Sequence, residues 1–262
     1  MGGTQQKRAI MDSKTRFSNR VDDYVRARPR YPREAVEYLR AAAGLGCSSL
    51  VADIGAGTGI STELFLNSGN EVFAVEPNDA MRQAAERRFA GDPRFHSVNG
   101  SAEATGLASG SVNFVVAAQA FHWFNTPAAR REMARILKPG GTVILMWNVR
   151  RADSTPFLRA YSELLQRYGT DYALVRHERT TEAEIAAFFG GPFRTWENPH
   201  FQELDFDGLL SRLLSSSYVP APGEPHHDAI VKNLRDAFDA NRSGGVVRME
   251  YDLRIYHGRL VM

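Results

Sequence analysis

Three glycines at alternate positions, Gly55, Gly57 and Gly59, follow a short apolar run from Leu50 to Ile54, and Asp53 lies inside that run. Such a run reads as a buried strand, and the residues from Ser61 onward read as a helix. Glycines at a strand-to-helix turn let backbone come close to a ligand, because no Cβ intrudes and positive φ costs little. The following helix turns its free N–H groups toward the same place. This is a cradle for a nucleotide-type ligand. It is not the G-x-G-x-x-G of dinucleotide folds: the third glycine falls one residue early, and Ile60 stands where that pattern wants Gly or Ala. No Lys follows Gly59, so it is not a P-loop either. A second apolar run, Val72 to Val75, ends on Glu76, whose carboxylate can accept hydrogen bonds from both hydroxyls of a ribose. A buried Asp53 needs donors of its own, and ordering the loop through backbone N–H groups would supply them.

Two further groups of residues could do chemistry. Phe121-His122-Trp123-Phe124 is an aromatic cluster after a strand-like run, and His122 could serve as a general base toward a hydroxyl. Arg26, Arg28, Arg30, Arg150 and Arg151 flank the same region, and a planar guanidinium is a natural partner for a carboxylate. If the second substrate presents a carboxylate, no base is needed and positioning suffices. The other histidines (His96, His177, His200, His226, His227 and His257) are scattered; adjacent His226 and His227 diverge on a helix and make a poor metal pair. No metal site is expected.

The elements that must position these residues follow from periodicity and caps. Strands are expected at 50–54, 71–75, 95–98, 112–118 and 142–147, with helices between them. Phe17, Val21, Tyr24 and Val25 fit one face of a short helix, and Tyr31-Pro32 opens a second that Gly44 stops. Asn78 caps a helix that Gly91 ends; Thr126-Pro127 opens another, closed by Lys138-Pro-Gly-Gly. This alternation means a parallel sheet with right-handed crossovers. After Asn148 the pattern changes: Thr155-Pro156 and the capping box Thr181-Glu-Ala-Glu184 open helices, 201–205 and 246–256 read as strands, and 207–216 and 226–241 as helices. Ligands in such sheets bind at the carboxyl ends of the strands.

With these residues in place, the chain resembles the class I S-adenosylmethionine-dependent methyltransferase family. Gly100-Ser-Ala-Glu-Ala-Thr-Gly-Leu107 resembles its adenine loop, Val112–Ala118 its fourth strand, and Leu137-Lys-Pro-Gly-Gly141 the turn before its fifth. Arg16-Phe-Ser-Asn-Arg-Val-Asp-Asp-Tyr24, Arg28-Pro-Arg-Tyr-Pro32 and Phe121-His-Trp-Phe124 are similar to a subgroup of small-molecule methyltransferases that includes trans-aconitate methyltransferases. The resemblance covers roughly residues 15–150. It implies an α/β fold: a Rossmann-like, seven-stranded, mostly parallel sheet with one antiparallel strand, helices on both faces and a helical lid. Within a single domain, 1–45 would be a helical cap, 46–150 the cofactor-binding core, 151–195 the lid insertion and 196–262 the part that completes the sheet.

The cofactor implied is S-adenosyl-L-methionine, leaving as S-adenosyl-L-homocysteine. The positions expected to hold it are Tyr24, Arg28, Asp53, Gly55, Ala56, Gly57, Thr58, Gly59, Glu76, Pro77, Met81, Ser101, Ala102, Glu103, Gln119, Ala120 and Phe121. Members of the family often carry Asp where Ser101 stands, so the Ala102 backbone is the expected contact to the adenine amine. His122 and Trp123 are the expected catalytic residues, and aromatic faces suit a sulfonium cation. Arg26, Trp147, Arg150 and Arg151 are the expected substrate-binding residues. Gln-Ala-Phe-His after the fourth strand lacks the [Asn/Asp/Ser]-Pro-Pro-[Tyr/Phe] of enzymes that methylate amino groups of DNA bases or glutamine.

The totals agree with a small-molecule acceptor. The 262 residues allow one large α/β domain, and a net charge of +2 gives no argument for nucleic acid. Cys47 is the single cysteine, so no intrachain disulfide can form. No apolar run approaches the roughly 20 residues of a membrane span, and the N-terminus lacks a signal core. A cytoplasmic monomer or homodimer is expected. The rival readings are a nicotinamide- or flavin-dependent oxidoreductase and a non-catalytic cofactor-binding module.

Overall fold

A computed structural model describes residues 21–170 and 180–261. Phe17, the rest of the N-terminal stretch and His177 lie outside the described residues. In chain order the elements are α1 (Val21–Ala27), α2 (Glu34–Ala43), β1 (Leu50–Ile54), α3 (Ile60–Asn67), β2 (Glu71–Val75), α4 (Asp79–Arg88), β3 (Phe95–Val98), β4 (Val112–Ala118), a 3-10 turn (Phe121–Trp123), α5 (Thr126–Ile136) and β5 (Leu137–Arg150). There follow α6 (Pro156–Tyr168), α7 (Glu182–Phe189), β6 (Phe193–Leu204), α8 (Phe206–Leu214), α9 (His227–Asn241) and β7 (Val247–Gly258).

The strands form one seven-stranded sheet in the order β3-β2-β1-β4-β5-β7-β6. β1 to β5 pair in parallel, and β7 runs antiparallel to both β5 and β6. The order reverses beside β1, which opens a crevice at the carboxyl ends of β1 and β4.

Alternation along the central strands explains the layers. Ala52, Val115, Val143 and Leu145 face one core with Met133 and Ile136 of α5 and Phe188 and Phe189 of α7. Their neighbours Val51, Val116, Ile144 and Met146 face the other, with Leu39 of α2 and Phe65 of α3. A strand buried on both faces must be apolar at nearly every position, and β4 is. A third cluster joins α6, α8 and α9 over the β7 end through Leu165, Leu209, Leu213, Ile230, Leu234 and Tyr251.

Three expectations need correcting. β5 begins at Leu137, five residues before position 142, and ends at Arg150. β6 begins at Phe193 rather than 201, because its outer positions are exposed and polar, as an edge strand's are, so the apolar signal fades. The described residues of 151–195 do not pack as one unit: α6 belongs to the third cluster, α7 packs in the first core, and Phe193–Thr195 are already β6. Three N-caps fall where expected, whereas α4 ends at Arg88, short of Gly91. Asn78 Oδ1 accepts from the Met81 N–H, Thr155 Oγ1 from the Leu158 N–H, and Thr181 with Glu184 closes a capping box. No helix among the described residues is long and apolar enough to cross a membrane.

Candidate active site

The three glycines have separate jobs. A Cβ on Gly55 would lie 2.7 Å from the Ala120 Cβ, and one on Gly59 2.4 Å from the Phe89 ring, so both are there for close packing. A Cβ on Gly57 would meet nothing within 4 Å, because Gly57 opens into the crevice. All three have positive φ. The turn is tied to β2: the Gly55 N–H and the Ala56 N–H both donate to the Val75 carbonyl, at 2.8 and 3.2 Å.

Glu76 leaves β2 directly beneath this turn. Its Oε2 accepts the Gly57 N–H at 2.9 Å and its Oε1 the Asn78 N–H at 2.8 Å. Each oxygen keeps a second lone pair for a ligand donor. Burial raises its pKa, and the two backbone donors offset part of the shift. Asp53 is fully buried; its Oδ2 accepts the hydroxyls of Ser61 and Thr62, both at 2.7 Å, and its Oδ1 has no partner. Burial pushes its pKa up to about 6 against those donors. Asp53 thus holds the first turn of α3 through the Ser61 and Thr62 hydroxyls, with the Thr62 backbone N–H as a further donor.

A cavity of about 420 Å³ runs from this turn along the strand ends, a size typical of small-molecule sites. The end beside the glycine turn is lined by Gly55, Ala56, Gly57, Glu76, Pro77, Met81 and the loop residues Ser101, Ala102 and Glu103. Gln119, Ala120, His122 and Trp123 line the middle, and Tyr24, Arg28 and Arg150 the far end. Glu103 also accepts the Asn125 N–H at 2.8 Å, bracing the loop against the start of α5. His122 has an unpartnered Nδ1, and burial lowers its pKa to about 4, so the ring is neutral at physiological pH. Gln119 takes a positive φ of 57° and donates from Nε2 to the Asn148 carbonyl at 3.0 Å.

Several expected residues do not line the cavity. Thr58 and Gly59 belong to the turn but face away from it, and Asp53 lies beneath Ser61 and Thr62. Phe121 points into the first core, edge-on to Trp147 and Phe188. Trp147 is itself core, because alternation along β5 places it on the same face as Val143 and Leu145. Arg151 turns away to pair with Asp252 at 2.6 Å. Arg26 is exposed on α1 outside the cavity.

Conversely, sequence reasoning missed Tyr31, Asn148, Arg212, Ser217 and Tyr218, which all line it. Asn148 is buried at 4% exposure, accepts at Oδ1 from His200 Nε2 at 2.8 Å, and donates from Nδ2 to the Pro29 carbonyl at 3.4 Å. Gln202 donates to the Ala27 carbonyl at 3.2 Å. These contacts seat the segment after α1 over the crevice. None of the described residues of 151–195 lines the cavity; α1 and the chain after α8 cover its far end.

This arrangement has relatives. The profile of the methyltransferase domain matches residues 52–145, which hold the glycine turn, Glu76, the 100–107 loop and the strand carrying Gln119. This stretch of the chain is similar to the methyltransferase domain family. An uncharacterized methyltransferase-like protein of Schizosaccharomyces pombe is 36% identical over 62% of this chain and 61% of its own. An uncharacterized methyltransferase of Mycobacterium tuberculosis is 37% identical over 60% of this chain and 62% of its own. The matched region thus spans about three fifths of these relatives' length.

Among solved structures, a protein of Anaeromyxobacter dehalogenans assigned as a type II methyltransferase superposes with a TM-score of 0.66 at 23% identity, over 89% of this chain and 98% of that one. A methyltransferase from Thiobacillus denitrificans, in complex with S-adenosyl-L-homocysteine, superposes with a TM-score of 0.50 at 15% identity, over 91% and 96%. At such identities the likeness shows the fold. The residues of the matched stretch fit that family's cofactor: an open glycine, a carboxylate with free lone pairs beside it, and the apolar side chains of Met81 and Ala102 on the cavity wall.

Proposed function

We propose that the chain transfers a methyl group from S-adenosyl-L-methionine to an oxygen, hydroxyl or carboxylate, of a small-molecule acceptor. The observation that carries this reading is the neutral His122 ring in the same cavity as the Gly57–Glu76 cradle. Glu76 would hold the ribose hydroxyls, Gly57 would give room for the amino-acid tail, and Met81 with Ala102 would flank the adenine. When bound, the cofactor supplies an electrophilic methyl on a sulfonium. Trp123 and Phe124 line the cavity beside that place, where ring faces favour a cation. The neutral His122 ring would accept the proton of a hydroxyl acceptor as its oxygen attacks; with a carboxylate acceptor it has no proton to take. The chain after α1 and residues 217–218 limit water at the far end.

A cytoplasmic setting is part of this reading, since Cys47 is exposed and has no second cysteine to pair with. The test is a methyl-transfer assay with labelled cofactor over panels of hydroxyls, carboxylates and amines. O-methylated product is expected, and for a hydroxyl acceptor His122→Gln should lower kcat by roughly 10²–10⁴-fold. Product from amines alone would refute the proposal.

A further inference from the structure

The far end of the cavity holds two guanidiniums with no counter-charge. Arg212 is buried at 7% exposure on α8, where its Nε donates to the Tyr251 hydroxyl at 3.3 Å and its Nη1 to Ser216 Oγ at 3.4 Å. Arg28 lies beside it, stacks on the Tyr24 ring at 4.7 Å and donates from Nη2 to the Ser215 carbonyl at 2.9 Å, while its buried Nε has no partner. Among the described residues neither forms an ion pair with a carboxylate; the ionisable groups that face them are each other and the phenols of Tyr24, Tyr31, Tyr161, Tyr218 and Tyr251. Burial, and after it the Arg212 charge, lower the Arg28 pKa. Both line the cavity. Two like charges withdrawn from water without an anion are costly to the folded chain, and a guanidinium fork is shaped for an oxyanion.

The geometry points to an acceptor that carries a permanent oxyanion, a carboxylate or a phosphate, seated on Arg28 and Arg212, with the methylated oxygen a separate group toward His122. An oxyanion clamped by two guanidiniums has its lone pairs engaged and is a poor nucleophile, so this group anchors and does not react. The position on the sheet argues that it belongs to the acceptor. The cofactor's tail would end at the turn after β1, whereas Arg212 is fixed to Tyr251 on β7. β1 and β7 are separated by β4 and β5, three strand spacings or about 14 Å. This inference rests on the methyltransferase reading, and its test keeps the two apart.

S-adenosylhomocysteine, and then methylthioadenosine, are titrated calorimetrically into the wild-type chain and into Arg212→Gln. The homocysteine-loaded proteins then receive succinate or methyl phosphate, with succinamide and trimethyl phosphate as neutral counterparts. One or both anions should bind the loaded wild type while their counterparts do not; which one binds tells carboxylate from phosphate. Arg212→Gln should weaken that binding roughly tenfold or more and leave S-adenosylhomocysteine affinity within about twofold. Normal S-adenosylhomocysteine binding with no anion binding, or with anion binding indifferent to Arg212, would overturn the inference alone. Weaker S-adenosylhomocysteine binding with unchanged methylthioadenosine binding would give the pair to the cofactor's own carboxylate and also overturn it. A wild-type chain that binds no S-adenosylhomocysteine removes the reading beneath it. Should Arg212→Gln not fold, Arg212→Lys, which keeps the charge but not the planar fork, should also weaken the anion's binding and reads the same contact.

Discussion

Glu76 spends one oxygen on each of two backbone donors, so no neutral isostere can replace it. In Glu76→Gln the amide NH₂ must face either the Gly57 or the Asn78 N–H. The substitution should therefore weaken S-adenosylhomocysteine binding by about 1.5–3 kcal/mol, as Glu76→Ala would; isothermal titration of both variants checks this, and a silent Gln variant would remove Glu76 from the cradle. His122 makes a prediction in pH. Burial holds its pKa near 4, so the base stays neutral as pH falls through the usual histidine range. With a hydroxyl acceptor, the acid limb of kcat/KM should fall near pH 4 and not near 6.5. At this scale the sequence was legible where local backbone demands a residue type, as at Gly57 and Glu76. It misled where a side chain's direction decides: Phe121 and Trp147 sit at strand ends as expected, but their rings enter the core.

At the scale of elements, the turn between β1 and α3 separates binding from packing. Gly59→Ala would drive a methyl into Phe89 and should lower the urea midpoint, whereas Gly57→Ala faces open space and should lose cofactor affinity with only the roughly 1 kcal/mol strain of its positive φ. Parallel denaturation and binding measurements on the two variants check this; equal effects on both quantities would show that the glycines share one role. The helix α8 shows what the sequence hid. Arg212 lies three residues after Leu209 and beside Leu213, on the helix's apolar stripe. A charge on a buried stripe is a signal, but it gains meaning only when tertiary packing brings α8 over the end of β7. Tyr31 and Asn148 reach the cavity in the same way, through long-range packing that no local pattern encodes. β1 and β4 were readable because they are buried on both faces; the first half of β6, an exposed edge strand, was not.

For the whole molecule, two buried titratable groups set opposing slopes of stability with pH. Asp53 has a folded pKa of about 6 against an ordinary 3.8. Below 3.8 it is protonated folded or unfolded and costs nothing. Between there and 6 the unfolded chain sheds its proton first, so stability falls as pH rises, and above 6 the cost is constant at about 3 kcal/mol. His122, with its pKa lowered to about 4, works the other way: the unfolded chain takes up its proton first, so stability falls as pH drops from 6.5 toward 4. Asp53→Asn keeps acceptors for the Ser61 and Thr62 hydroxyls, which can also turn to accept from its amide. It should be more stable than wild type at pH 7.5, with the gap closing toward pH 4; urea denaturation at both values measures it, and a gap that does not depend on pH would contradict the assignment of the buried charge.

The most direct measurement is a crystal structure of the chain with S-adenosylhomocysteine. The account predicts the ribose hydroxyls on Glu76, the amino-acid tail over Gly57 and the adenine between Met81 and Ala102. A ligand bound elsewhere, or a dinucleotide diphosphate held by the turn in its place, would contradict it.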